Sequence, residues 1–123
     1  MKQITEAERQ IMEIVWETNP IVSEDIIARV APLHGWSEGT VRSLLNRLLN
    51  KKVLRVARKG RTYYYRPAVR KEDYLTDESQ GFLERLFDGR LTPLVSHLAA
   101  HRKLTEDDIA DLKKLIRDLE RGR

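Results

Sequence analysis

The stretch from Ser37 to Pro67 constrains the fold most, because its period changes from helical to strand within a few residues. Val41, Leu44, Leu45, Leu48 and Leu49 fall in one stripe at about 100° per residue, with Gly39, Ser43, Asn46 and Asn50 opposite and Thr40, Arg42 and Arg47 flanking. Ser37 is placed to cap this helix, which is expected to run to about Lys52. VLRVARKGRTYYYRP follows, two β-prone runs around Lys59-Gly60, where Gly60 can supply a positive φ and Pro67 ends the second strand. An amphipathic helix leading directly into a short hairpin makes the central part of a winged helix-turn-helix. The expected fold class is therefore mainly α with a small β-hairpin wing and a further helical region behind it.

The same stretch is electrically one-sided. Between Gly39 and Lys71 lie eleven basic residues and no carboxylate, which leaves 12 basic against 19 acidic residues elsewhere and hides a polarised chain behind a net charge of +4. A field of that kind suits a polyanion. With 123 residues, 41% of them hydrophobic, there is enough for one core and little for a deep catalytic cleft. The absence of cysteine excludes disulfides and thiolate metal sites. MKQITEAERQ lacks the apolar segment of a signal peptide and no apolar run approaches spanning length, so a cytoplasmic protein without membrane insertion is expected.

Before this stretch, Thr5 and Glu8 form a capping box ahead of Ile11, Met12, Val15 and Trp16, and Asn19-Pro20 stops the helix. Ser23 is expected to cap a short second helix with Ile26, Ile27 and Val30 inward. That helix is expected to end near Pro32, with Leu33 to Trp36 as the connection. From Glu72 onward, Tyr74, Leu75, Phe82, Leu83, Leu86 and Phe87 outline a fourth helix closed by Gly89. Thr92-Pro93 is read as cap and first residue of a fifth, and Thr105 with Asp108 starts a sixth carrying Ile109, Leu112, Leu115, Ile116 and Leu119. Residues 1–71 are thus expected to form a DNA-binding domain and 72–123 a helical dimerisation region. The latter holds too few residues of its own to bury Phe82, Leu83, Leu86, Phe87, Ile109, Leu112 and Ile116, so a second copy is expected to cover them.

If the third helix enters a major groove, Arg42 can reach guanine O6 and N7, Asn46 can pair with adenine, and Thr40 can meet a thymine methyl. Gly39 lets the backbone come close, and Ser43 and Arg47 complete the face. Arg58, Lys59 and Arg61 surround the wing tip, in reach of phosphates or a minor groove. Alternation puts Tyr63 and Tyr65 on one face, expected to pack on the domain, and Tyr64 on the other. His97 and His101 have the i, i+4 spacing of a shared metal site but no third ligand, so no metal and no cofactor is expected. No catalytic constellation is found.

These residues carry a resemblance. E-x-x-I-M-x-I-V-W at Glu8 to Trp16, T-V-R-S-L-L-N-R-L at Thr40 to Leu48, G-R-T-Y-Y-Y-R-P at Gly60 to Pro67 and F-L-E-R-L-F-D-G at Phe82 to Gly89, in this order, make the chain similar to the penicillinase-repressor (BlaI/MecI-type) family of winged-helix regulators. The resemblance implies a homodimer on double-stranded DNA, at a palindromic operator, that represses transcription, read by the helix at Thr40 to Leu48 and dimerised through the C-terminal helices. It further implies release through a membrane metalloprotease sensor pathway that cuts the dimerisation region. The Asn-Phe bond of antibiotic-responsive members corresponds to His97-Leu98 here. Non-specific architectural DNA binding and a protein-interaction adaptor on the same scaffold are the competing readings from the residues alone.

Overall fold

The computed structural model describes residues 3–122. In chain order the elements are α1 (Glu6–Glu17), β1 (Ile21–Val22), α2 (Ser23–His34), α3 (Glu38–Asn50), β2 (Leu54–Lys59), β3 (Thr62–Pro67), α4 (Lys71–Phe87), α5 (Leu91–Ala100) and α6 (Glu106–Glu120). They divide into two compact units, one reaching Asp77 and the other beginning at Glu78, so the division falls inside α4.

In the first unit α1, α2 and α3 enclose a core of Ile11, Met12, Val15, Ile26, Val30, Val41, Leu45 and Leu48, which the antiparallel sheet β1-β3-β2 closes with Ile21, Leu54 and Tyr65. Full burial of each such aliphatic side chain stabilises the fold by about 1.5–3 kcal/mol. β2 and β3 pair from Leu54↔Pro67 to Lys59↔Thr62, leaving Gly60 and Arg61 as a two-residue loop. Gly60 sits at φ 63, the glycine-first pattern of a hairpin turn whose twist matches its strands.

Tyr74 also belongs to this core: its ring lies 5.3 Å from that of Trp16, whose indole N–H donates to the Val69 carbonyl at 2.9 Å. That packing carries the first unit on to Asp77, six residues past the expected division at 71/72.

Several local expectations are corrected. Ser23 is not a cap but the first residue of α2, and it is buried. The residues before it, Ile21 and Val22, pair with Tyr65 and Tyr64 of β3, so the chain enters the helix from a short strand that two residues of sequence do not announce. Pro32 does not end α2, which continues through His34. An exposed proline in the last turn forfeits one backbone bond without breaking the turn, and the helix stops at Gly35, in the left-handed region at φ 65, which carries no Cβ penalty for glycine. In α5 the cap position is Arg90, not Thr92. Pro93 is the third helical residue, where its missing N–H would have had no intrahelical partner.

The second unit has a different balance. Thr105 and Asp108 make the expected capping box at α6, with hydrogen bonds of 3.0 and 3.1 Å. Yet no residue of α5 or α6 is buried, and Leu86, Leu91, Ile109, Leu115, Ile116 and Leu119 are exposed.

Candidate nucleic-acid interface

α3 presents one face inward and the other to solvent because its apolar residues recur every three or four positions. Val41, Leu44, Leu45 and Leu48 are buried, whereas Gly39, Thr40, Arg42, Ser43, Asn46 and Arg47 are all exposed. Ser37 caps the helix as expected, its hydroxyl accepting from the Thr40 amide at 3.1 Å. The Thr40 hydroxyl lies 3.0 Å from the same oxygen. Ser37, Gly39, Thr40, Ser43, Leu44 and Arg47 line a polar depression of about 400 Å³ at this end of the helix. The structure thus places all six recognition candidates on one exposed face.

The wing candidates sit together at the hairpin tip. Arg58 donates from Nε to the Gly60 carbonyl at 2.7 Å, and its guanidinium carbon lies 5.8 Å from the Tyr63 ring centre, so its stem and ring brace the turn. Lys59 and Arg61 make no ion pair among the described residues. The tyrosine expectation is half corrected. Tyr65 is buried, and that burial raises its phenol above the ordinary value, but Tyr63 is 47% exposed. Tyr63 pairs with Arg58 across the hairpin near its tip, past the residues of β3 that β1 pairs with, while Tyr64, expected on the open face, is half-buried.

The basic stretch sorts into structural and free cations, a distinction that charge counting missed. Arg42 pairs with Glu38, Lys51 with Glu8, Arg70 with Asp73 and Lys71 with Glu13. All four carboxylates lie outside the carboxylate-free stretch and reach it through helical spacing or through the fold. Of the eleven basic residues, the seven others (Arg47, Lys52, Arg55, Arg58, Lys59, Arg61 and Arg66) have no such pair among the described residues.

Lys51 illustrates the structural kind. Its side chain is only 22% exposed, and its ammonium donates to the fully buried Glu8 carboxylate at 2.6 Å and to the Gln3 carbonyl at 2.9 Å, fixing the start of α1 to the end of α3. Burial alone would raise the Glu8 carboxyl. The hydrogen bonds from Lys51 and Thr5 outweigh it and hold the group below the usual carboxylate value.

In the second unit, Phe82 and Leu86 are exposed on α4, Leu83 and Phe87 are half-buried, and the Phe82 and Phe87 rings lie 6.0 Å apart. A cleft of about 490 Å³ runs between α4 and α5, lined by Phe82, Leu83, Leu91 and Leu94 with Glu78, Ser79 and Arg85. On α6, Ile109 and Ile116 are exposed and Leu112 is half-buried. His97 is exposed and Leu98 half-buried within α5, and the His101 ring, 4.4 Å from that of His97, makes its contact with the His97 carbonyl at 2.9 Å. Among the described residues no helix is long and apolar enough to cross a membrane.

Comparison with known proteins agrees with this geometry. The chain is 28% identical over 116 residues to the penicillinase repressor of Bacillus licheniformis, covering 94% of this chain and 91% of that protein. It is 24% identical over 117 residues to the penicillinase repressor of Staphylococcus aureus, covering 95% and 93%. Among solved structures it is similar to the Bacillus licheniformis BlaI monomeric form in complex with the blaP half-operator. That match has a TM-score of 0.54 at 30% identity and covers 59% of this chain and 89% of that one. The penicillinase repressor family profile matches residues 4–118, nearly the whole chain, and the chain belongs to that family.

Proposed function

We propose that the chain is a sequence-specific DNA-binding transcriptional repressor, a binding protein and not an enzyme. It acts in the cytoplasm as a homodimer on a palindromic operator. α3 lies in the major groove, where Arg42, Asn46 and Thr40 meet base edges and Ser43 and Arg47 flank them. Arg58, Lys59 and Arg61 of the wing hold phosphates. The half-operator complex of the similar BlaI supports this reading, and the observation that carries it is the exposed, polar and cationic face of α3.

Gly39 adds to that observation. A Cβ at this position would meet only the Ser37 hydroxyl, at an ordinary 3.8 Å, so the domain's own packing has no use for the missing side chain. Glycine in a helix is destabilising by roughly 0.5–1 kcal/mol relative to alanine, and a duplex backbone or base edge pressed close against α3 supplies the compensating gain. Gly39→Ala is therefore expected to raise unfolding stability by about that amount while lowering operator affinity. An alanine variant that binds the operator as tightly as the parent contradicts the close approach.

Residues 72–123 dimerise through Phe82, Leu83, Leu86, Phe87, Ile109, Leu112 and Ile116, each apolar and none fully buried. Release proceeds by a cut near His97-Leu98 under a membrane metalloprotease sensor, which separates the copies and leaves the reading face intact. A chain found intact by mass spectrometry in derepressed cells contradicts this route.

A further inference from the structure

One carboxylate stands at the edge of the otherwise cationic reading face. Glu38 is the first residue of α3, 64% exposed, and its Oε1 accepts from both Nε and Nη2 of Arg42 at 3.1 and 2.9 Å. A negative charge beside DNA phosphates opposes binding. Nor is Glu38 needed as the cap, a task that Ser37 performs through the Thr40 amide.

The geometry of the pair suggests a use. A guanidinium offers its donors along two usable edges. With the Nε/Nη2 edge held by Glu38, the end-on Nη1/Nη2 edge of Arg42 stays free and oriented, and it is this edge that can meet guanine O6 and N7 together. Among the described residues the second oxygen of Glu38 accepts no hydrogen bond. A carboxylate oxygen at the N-terminal end of a recognition helix is an acceptor for the N4 amino group of cytosine.

We propose that Glu38 determines specificity, orienting Arg42 on a guanine while its free oxygen reads the amino group of a cytosine in a neighbouring base pair. This rests on the repressor reading above. The pair acts as one reader: the carboxylate restrains the arginine against non-productive phosphate contacts and penalises sequences that offer no amino donor. Specific affinity is gained at the expense of general affinity.

The test is selection of binding sites by the full-length chain from a random duplex library, repeated with Glu38→Ala, Glu38→Gln and Arg42→Ala. Arg42→Ala identifies the guanine position. Glu38→Ala is expected to weaken the guanine preference there, to abolish the cytosine preference beside it, and to bind random duplex more tightly than the parent. Its ratio of selected-site to random affinity should fall by about 5- to 150-fold. Glu38→Gln, which keeps an acceptor oxygen without the charge, should retain part of the cytosine preference. If Glu38→Ala strengthens selected and random duplexes by the same factor and leaves the selected sequence unchanged, the inference is overturned, and Glu38 is only a charge in the first turn. If the parent chain itself selects no consensus, the repressor reading has failed instead.

Discussion

Truncation after Asp77 is expected to yield a folded monomer that binds a full palindromic site roughly 10²–10⁴-fold more weakly than the whole chain, because two half-site contacts no longer share one molecule. The fragment keeps the core of the first unit, including Tyr74 on Trp16, and so keeps the reading face. What it loses is the apolar surface of the later helices. Leu86 is 62% exposed, Leu119 60% and Ile116 53%, an arrangement that water disfavours and a second copy relieves. Sedimentation and titration on full and half sites check this together. A fragment that remains dimeric, or that binds the full site as tightly as the whole chain, places dimerisation elsewhere.

Lys51→Met is expected to cost about 3 kcal/mol of stability near neutral pH, the low end for breaking a buried ion pair because the Lys51 side chain is 22% exposed. The pH dependence should also change sign. In the parent chain the Glu8 carboxyl is lowered from its ordinary 4.5, so its contribution is fully present above that value and is lost as pH falls through the folded value. Without the ammonium, burial, the largest single influence on the group, is expected to prevail over the remaining Thr5 hydrogen bonds and to raise it above 4.5. Stability from this site is then greatest in acid and declines as pH rises through the raised value. The orphaned Oε2, buried without a partner in the parent, adds to the penalty. Denaturant melts of both proteins from pH 3 to pH 8, on the order of one per pH unit, check the reversal. Parallel curves would mean that Lys51 does not govern the ionisation of Glu8.

Much of this architecture is legible in the chain because periodicity and caps are local signals. The stripe of Val41 to Leu48, the Thr5/Glu8 and Thr105/Asp108 boxes and the Gly60 turn appear in the structure where spacing puts them. Elements that depend on distant partners are not legible. β1 exists because Ile21 and Val22 find β3 some forty residues later. Alternation alone put Tyr63 with the buried Tyr65 and Tyr64 outward, but near the hairpin tip Tyr63 is exposed and Tyr64 is half-buried. The site shows the same division. Helical spacing places the recognition side chains on one face, but separating Lys51 and Lys71 from the cations without an ion pair needs the positions of Glu8 and Glu13. The Glu38–Arg42 contact is visible in sequence as an i, i+4 pair, and it goes unnoticed when the basic stretch is counted from Gly39.

The central claim, sequence-specific repression through α3 and the wing, is tested most directly by comparing the affinity of the full-length chain for its selected palindromic duplex with that for a scrambled duplex of equal length, across a salt series. A specific repressor favours its site by roughly 10³-fold or more at physiological salt, with both affinities falling as salt rises because the wing and α3 cations displace counterions. A ratio near one with the same salt dependence would contradict the claim and leave only a basic surface that holds DNA without reading it.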